Sequence, residues 1–252
     1  MFFSKYSASG NDFILTHSFN HPKDFFAKLA PKICHRQLGV GADGLIILKP
    51  SKELDFEWEF YNSDGSIPAM CGNGSRAAAK YAWDLKLATT SQKFQTLAGV
   101  IRANIEGNWV ESELTPTKLI AKDIQENNRI WWLIDTGVPH LVCLQEKSQK
   151  IGNLNKEDLR NLRHKYNANV NIATLQNEKV LARTFERGVE DETLACGTGM
   201  AAMFYYLRNL NKVDNPCLFK PASGESLYLR EEKGKLFLKG KVKKICDFTY
   251  QP

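Results

Sequence analysis

Hydrophobic and polar residues alternate with period two over Asp55-Phe56-Glu57-Trp58-Glu59-Phe60 and again over Val180-Leu181-Ala182-Arg183-Thr184-Phe185. That is the pattern of a strand with one buried face. Two other stretches, Ser75 to Trp83 and Met200 to Leu207, are rich in helix formers and apolar around most of their circumference. They are predicted to be buried helices rather than surface ones. The longest aliphatic run, Leu45-Ile46-Ile47-Leu48, is far shorter than the roughly 18 residues a membrane span needs. The run Lys239-Gly240-Lys241-Val242-Lys243-Lys244 alternates like a strand with a wet face, where lysines discourage edge-to-edge pairing.

These elements fall into two similar halves. Cys71-Gly72-Asn73-Gly74 and Cys196-Gly197-Thr198-Gly199 stand 125 residues apart in a chain of 252. Phe60 and Phe185 each close a strand pattern 11 residues before their cysteine, and a buried helix follows each motif. Cys34-His35-Arg36 and Arg163-His164-Lys165 each end a helical stretch further upstream. Internal repetition of this kind predicts a duplicated architecture. The expectation is a mixed α/β (α+β) fold of two pseudo-symmetric domains, each a mostly antiparallel sheet or barrel around a central helix, with the active site in the cleft between them. Pro116 interrupts the strand pattern, which puts the boundary near residue 114. The first domain is 1–114, joined by a returning final strand at 241–252, and the second is 115–240.

Composition narrows the class. Hydrophobic residues make up 43% of the chain and charged residues 25%, as in ordinary soluble globular proteins. The N-terminus shows no secretory pattern, so a cytoplasmic location is expected. The net charge of +6 is spread along the chain, without the basic cluster and aromatic platforms of a nucleic-acid surface. Six cysteines show neither Cys-x-x-Cys pairs nor metal spacing. They are expected to be free thiols, most of them small buried hydrophobes. His17 and His21 flank Asn20 and precede Pro22, a loop context that predicts no metal site.

The exceptions among the thiols are the two in the repeats. Asn73 and Thr198, two residues past each cysteine, are good N-cap residues, so each thiol is expected over a helix N-terminus. There the dipole and the unpaired N–H groups lower a thiol pKa from about 8.5 to as little as about 3.5–7.5. The same N–H groups can bind a carboxylate, and flanking glycines let a ligand approach the backbone. Two such thiols facing one α-carbon suit inversion of a stereocentre: one removes the proton and the other returns it to the opposite face. No lysine stands in a context that marks a pyridoxal phosphate Schiff base, so no cofactor is expected.

The run Asn62-Ser63-Asp64-Gly65-Ser66-Ile67-Pro68-Ala69-Met70-Cys71-Gly72-Asn73-Gly74-Ser75-Arg76 resembles the signature of diaminopimelate epimerases. So do Gly10-Asn11-Asp12-Phe13, Gly41-Ala42-Asp43-Gly44, Gly137-Val138-Pro139-His140, Glu186-Arg187-Gly188 and Ala195-Cys196-Gly197-Thr198-Gly199. The resemblance implies interconversion of LL- and meso-diaminopimelate on the route to lysine and peptidoglycan. It implies Cys71 and Cys196 as the acid–base pair, the backbone of Gly72-Asn73 and Gly197-Thr198 as the seat of the reacting carboxylate, and Asn11, Asn62, Asn171, Glu186 and Arg187 as further substrate contacts. It assigns His140 and Glu186 to tuning the thiols, and it suggests a homodimer. By its own chemistry Arg187 offers a planar fork for a carboxylate, Asn62 opens an Asn-Ser-Asp-Gly turn, and His140 follows a proline in an apolar setting. This chain departs from some members at Gly44, where they carry glutamine, and at Val138, where they carry asparagine, so the grip on the distal end of the substrate is not carried over.

Three other readings share these features. A proline racemase or hydroxyproline epimerase of the same fold typically has histidine where Asn73 stands and no use for Arg187. A catalytically silent binding protein on this scaffold would lack the thiols. A redox protein would cycle them through a disulfide, whereas an epimerase needs both reduced.

Overall fold

A computed structural model of the chain describes residues 1–22, 24–145 and 155–251, so Pro252, the last residue of the expected final strand, lies outside the described residues. The chain divides into two compact units, Met1–Glu113 with Gly240–Pro252, and Leu114–Lys239. The first contains β1 (Phe2–Ala8), β2 (Asn11–His17), α1 (Phe25–Ile33), β3 (Gly44–Lys49), β4 (Phe56–Asn62), α2 (Gly72–Asp84), β5 (Ser91–Thr96), β6 (Gly99–Glu106) and β7 (Trp109–Glu113). The second contains β8 (Lys118–Glu126), β9 (Arg129–Asp135), β10 (Pro139–Gln145), α3 (Lys156–Tyr166), β11 (Asn169–Gln176), β12 (Lys179–Glu186), β13 (Asp191–Glu192), α4 (Gly197–Asn209), β14 (Cys217–Lys220) and β15 (Leu227–Glu232). The last strand, β16 (Lys235–Thr249), contributes to both. The class is mixed α/β, as the sequence predicts.

Both units repeat one scheme of pairings. In the first, β2 pairs parallel with β3 across α1, β3 antiparallel with β4, and β4 parallel with β5 across α2. In the second, β10 pairs parallel with β11 across α3, β11 antiparallel with β12, and β12 parallel with β14 across α4. A parallel pair needs a crossover connection, and in all four cases a helix supplies it. In the first unit the order β1-β2-β3-β4-β5-β6-β7-β16 closes on itself through the β1–β16 pairing, giving a ring of eight strands.

The apolar run at Leu45–Leu48 has its explanation in this layering. Leu45 and Ile47 pack with Phe26, Leu29 and Ile33 of α1, whereas Ile46 and Leu48 pack with Ala77, Ala78 and Tyr81 of α2. A strand covered on both faces loses the polar half of its alternation. In the second unit Val170 and Ile172 of β11 face Leu159 and Leu162 of α3, and Ala173 faces Met200 and Phe204 of α4.

Both central helices are buried, as predicted, but α2 is not apolar. Eleven of its thirteen residues are buried, including Asn73, Ser75, Arg76 and Lys80. Burying polar groups is tolerated when each has a partner. Lys80 Nζ meets Asp84 Oδ1 at 2.5 Å and stands over the Trp83 ring. Ser75 Oγ donates to the carbonyl of Gly72. Arg76 Nη2 donates to Asn73 Oδ1 at 2.5 Å and to Ser9 Oγ at 3.0 Å.

Gly44, where this chain departs from some members of the resembled family, has no room for a side chain. A Cβ there would lie 2.5 Å from the Phe60 ring and 2.8 Å from the carbonyl oxygen of Tyr61. Phe60 is itself wedged edge-on against Phe13 and beside Trp58. Gly44→Ala is therefore expected to cost about 1–3 kcal/mol, the usual range for overpacking, with part recovered in a Phe60→Leu background. Urea unfolding checks this; equal losses in both backgrounds would show that the Phe60 ring is not the obstacle.

Candidate active site

Each Cys-Gly-x-Gly motif closes a strand-to-helix connection. The caps differ from expectation. Asn73 and Thr198 lie inside the first turn, and the N-caps are the cysteines themselves: Cys71 at φ −145°, ψ 114° and Cys196 at φ −118°, ψ 108°. The glycine after each cysteine already has helical geometry, which moves the boundary two residues upstream. The consequence is chemical. The sulfur occupies the place where a capping oxygen accepts from the second or third helical N–H, and Cys71 Sγ accepts from the N–H of Gly74 at 3.3 Å. Cys196 makes no such cap bond; its Sγ lies 3.4 Å from Thr198 Oγ1. Helical residues one and two, Gly72 and Asn73 in α2 and Gly197 and Thr198 in α4, have N–H groups without intrahelical acceptors.

The second glycine of each motif is closely packed, with no room for a side chain at Gly199 and little at Gly74. A Cβ on Gly74 would meet Ile46 at 3.3 Å and the Cys71 sulfur at 3.5 Å. A Cβ on Gly199 would overlap Asn171 Oδ1 and come within 3.0 Å of Thr184 Oγ1. Ile46 and Asn171 are themselves 125 residues apart, so the repeat offset holds for contacts as well as for motifs.

In the first unit the expected site residues Asn11 and Asn73 come together. The β1–β2 turn at Ser9-Gly10, both with positive φ, delivers Asn11 at the start of β2. Its Oδ1 accepts from Asn73 Nδ2 at 2.5 Å and its Nδ2 donates to Asp43 Oδ2 at 2.9 Å. Asn62 ends β4 and folds its own turn, with Nδ2 donating to Ser66 Oγ. Arg76 and Asp43 lie within recognisable motifs, but sequence reasoning gives them no role. The three-residue helical spacing of Asn73 and Arg76 is the available signal.

In the second unit His140 and Asn171 are fully buried and in contact. Asn171 Nδ2 lies 3.1 Å from the carbonyl of Asn169, 3.3 Å from that of Leu141 and 3.0 Å from His140 Nδ1. Carbonyls accept only, so the amide nitrogen faces all three, His140 Nδ1 is an acceptor, and the ring proton sits on Nε2. Asn171 Oδ1 accepts from Thr184. The Asn171 amide is thus engaged within its own unit, and the structure places it behind the first turn of α4 rather than on an open surface. Glu186 is half-buried at the end of β12. Arg187 is exposed, its Nη1 donating to the carbonyl of Asn167 at 3.1 Å and its backbone N–H to Asn169 Oδ1. Thr136 Oγ1 donates to the carbonyl of Thr198, tying the loop before His140 to α4.

The remaining buried thiols are chemically quiet. Burial pushes Cys34 and Cys143 up to about 12 and Cys217 up to about 11. All six cysteines are thiols, none of them in a disulfide. Among the described residues no group of three metal-ligating side chains occurs, and no helix is long and apolar enough to cross a membrane.

Two solved structures share this fold from end to end. A phenazine biosynthesis protein of the PhzF family from Enterococcus faecalis has a TM-score of 0.78 at 12% identity, covering 99% of both chains. A probable proline racemase from Agrobacterium radiobacter K84 has a TM-score of 0.74 at 14% identity, covering 99% of this chain and 92% of that one. Sequence likeness carries the assignment further. A diaminopimelate epimerase from a Nitratiruptor species is 54% identical over 244 residues, 96% of each chain. The chain is accordingly an isomerase of the racemase and epimerase class. Residues 3–120 and 132–245 match the diaminopimelate epimerase family model, and the chain belongs to that family.

The buried His140 has a measurable consequence. Burial, with a smaller contribution from Arg187, pushes its pKa down to about 3, whereas an unfolded histidine titrates near 6.5. Between those values the unfolded chain holds a proton that the folded chain refuses. Stability is therefore intact above about pH 6.5 and lost as pH falls toward 3, by up to about 1.4 kcal/mol per pH unit. His140→Gln is expected to lower that acid slope by one proton, measured by urea unfolding between pH 6.5 and 4. An unchanged slope would show that the histidine is charged in the folded protein.

Proposed function

We propose that this chain interconverts LL- and meso-2,6-diaminopimelate without a cofactor, using Cys71 and Cys196 as the two proton-transfer groups. The observation that carries the reading is the matched pair of cysteine N-caps, one in each unit, on buried helices. Family membership supplies the substrate.

One thiolate takes the α-proton: an S–H bond forms, the Cα–H bond breaks, and the electron pair passes into the α-carboxylate. The other thiol gives its proton to the opposite face and is left as the thiolate. The turnover is thus redox-neutral and reversible, and the two sulfurs exchange roles in the reverse direction. Charge developing on the carboxylate is met by the N–H groups of Gly72, Asn73, Gly197 and Thr198, pre-oriented donors each worth about 3–4 kcal/mol when well aimed. The helix N-termini also favour the thiolate over the thiol.

The other residues divide by chemistry. Arg187, whose guanidinium leans on a neutral carbonyl, would exchange it for the distal carboxylate, a stronger charge-assisted partner. Asn11, Asn62 and Glu186 offer amide and carboxylate groups to the substrate's ammonium and carboxylate ends. Neutral His140 and buried Asn171 back the first turn of α4 beneath Cys196, and Glu186 contributes the charge near that thiol. Two thiols that must stay reduced suit the cytoplasm. A homodimer with no nucleic-acid or membrane partner completes the reading.

Cys71→Ala and Cys196→Ala are each expected to reduce kcat/KM for either isomer by at least about 10²-fold, the lower bound for loss of a general acid or base. Steady-state assay of both directions measures it. Turnover near that of the unaltered enzyme in either variant would remove the two-thiol assignment.

A further inference from the structure

The first unit carries a chain of four side chains whose ends differ in kind. Arg76 Nη2 donates to Asn73 Oδ1, Asn73 Nδ2 to Asn11 Oδ1, and Asn11 Nδ2 to Asp43 Oδ2, at 2.5, 2.5 and 2.9 Å. The guanidinium at one end only donates and the carboxylate at the other only accepts. Between them sit two amides, each with one donating and one accepting end. A single orientation of the two amides satisfies all three hydrogen bonds. Reversing the amides would set the Asn73 NH₂ against the guanidinium and the Asn11 carbonyl against the carboxylate.

Stability alone is a poor explanation for this chain. Arg76 is fully buried in the second turn of α2, near the positive end of the helix dipole, where a cation is unfavourable. Buried charges are costly unless well partnered. Asp43 is anchored independently of the amides: its Oδ1 accepts from Arg36 at 2.7 Å, and its backbone N–H donates to Asp12. Both ends are thus held while the middle is oriented.

We propose that Asp43 and Arg76 are positioning residues for the ligand, locking the amides of Asn11 and Asn73 in one of their two flip states. Asn11 is half-buried, so its unspent N–H and lone pair face a ligand from fixed sides. A flip would exchange donor for acceptor and turn affinity for a carboxylate into affinity for an ammonium. This rests on the reading of Asn11 as a substrate contact, and it adds that the polarity of the contact is set from behind.

The kinetic test compares Arg76→Lys, which keeps a donor-only cation, with Arg76→Gln, which can donate or accept. The glutamine variant is expected to raise KM for diaminopimelate about tenfold, the effect of leaving one buried polar group mispaired, with kcat within about threefold. Lysine is expected to restore KM. Equal damage from both, or damage to kcat alone, would overturn the proposal. If Arg76→Gln fails to fold, a second pair reads polarity without any substrate. Asn73→Asp places an acceptor-only group in the chain, forcing Asn11 to turn its carbonyl onto Asp43 and lowering the urea midpoint. Adding Asp43→Asn supplies an NH₂ to that carbonyl, and the double variant is expected to regain at least half of the lost midpoint. Simple additivity would overturn the lock. An unaltered protein inactive on diaminopimelate would overturn the functional reading while the midpoint result still decides the amide polarity.

Discussion

A cysteine standing at the N-cap of a buried helix, once in each unit, is the constraint on which the proposed chemistry depends. It needs a backbone that leaves an extended segment and enters a helix with no intervening residues, so the capping residue is extended and the next is already helical. It needs a helix that cannot shift, which the surrounding strands provide by burying α2 and α4 along most of their length. It is helped by a first turn with no side chain at its third residue, which Ile46 and Cys71 crowd in one unit and Asn171 and Thr184 fill in the other. Each requirement follows from the last, and the strand pairings repeated in the two units meet all of them twice.

The two units share this backbone but differ in the polar groups behind it. In the first, the helix start is braced by a directed series of charged and amide side chains ending at Arg76 and Asp43. In the second, a neutral histidine and an asparagine held by backbone carbonyls lie behind the helix start, with Asn171 where the first unit has Ile46. The sulfurs differ as well: Cys71 accepts a backbone N–H, whereas Cys196 pairs with a hydroxyl that can donate or accept. The two units share the device and differ in the side chains that support it.

Much of this is legible in the sequence because it rests on local rules. Alternation marks β4 and β12, and the 125-residue offset marks the repeat. The Cys-Gly-x-Gly motifs mark the helix starts, although cap preference alone favours Asn73 and Thr198 over the cysteines that fill the position. The polar interior of α2 is less visible, since the fold brings Ser9 to Arg76, whereas Lys80 meets Asp84 one turn along the same helix. The tight fit of Gly44 against Phe60 cannot be read either, because strand pairing brings them together. Asn171 is a ligand contact by what the resemblance implies, and tertiary structure shows its amide engaged by His140 and Thr184.

The central claim is that two different thiols act on opposite faces of one carbon. It is tested most directly by starting from the LL isomer in D₂O and stopping at low conversion. Mass spectrometry and NMR then locate the label in product and in recovered substrate. Two thiols predict one deuterium at the inverted α-carbon of the newly formed meso isomer and almost none in the remaining LL isomer, because only the second thiol carries solvent deuterium to the product face. Deuterium appearing in the recovered LL isomer as fast as in the product would mean that one base serves both faces, and would contradict the account.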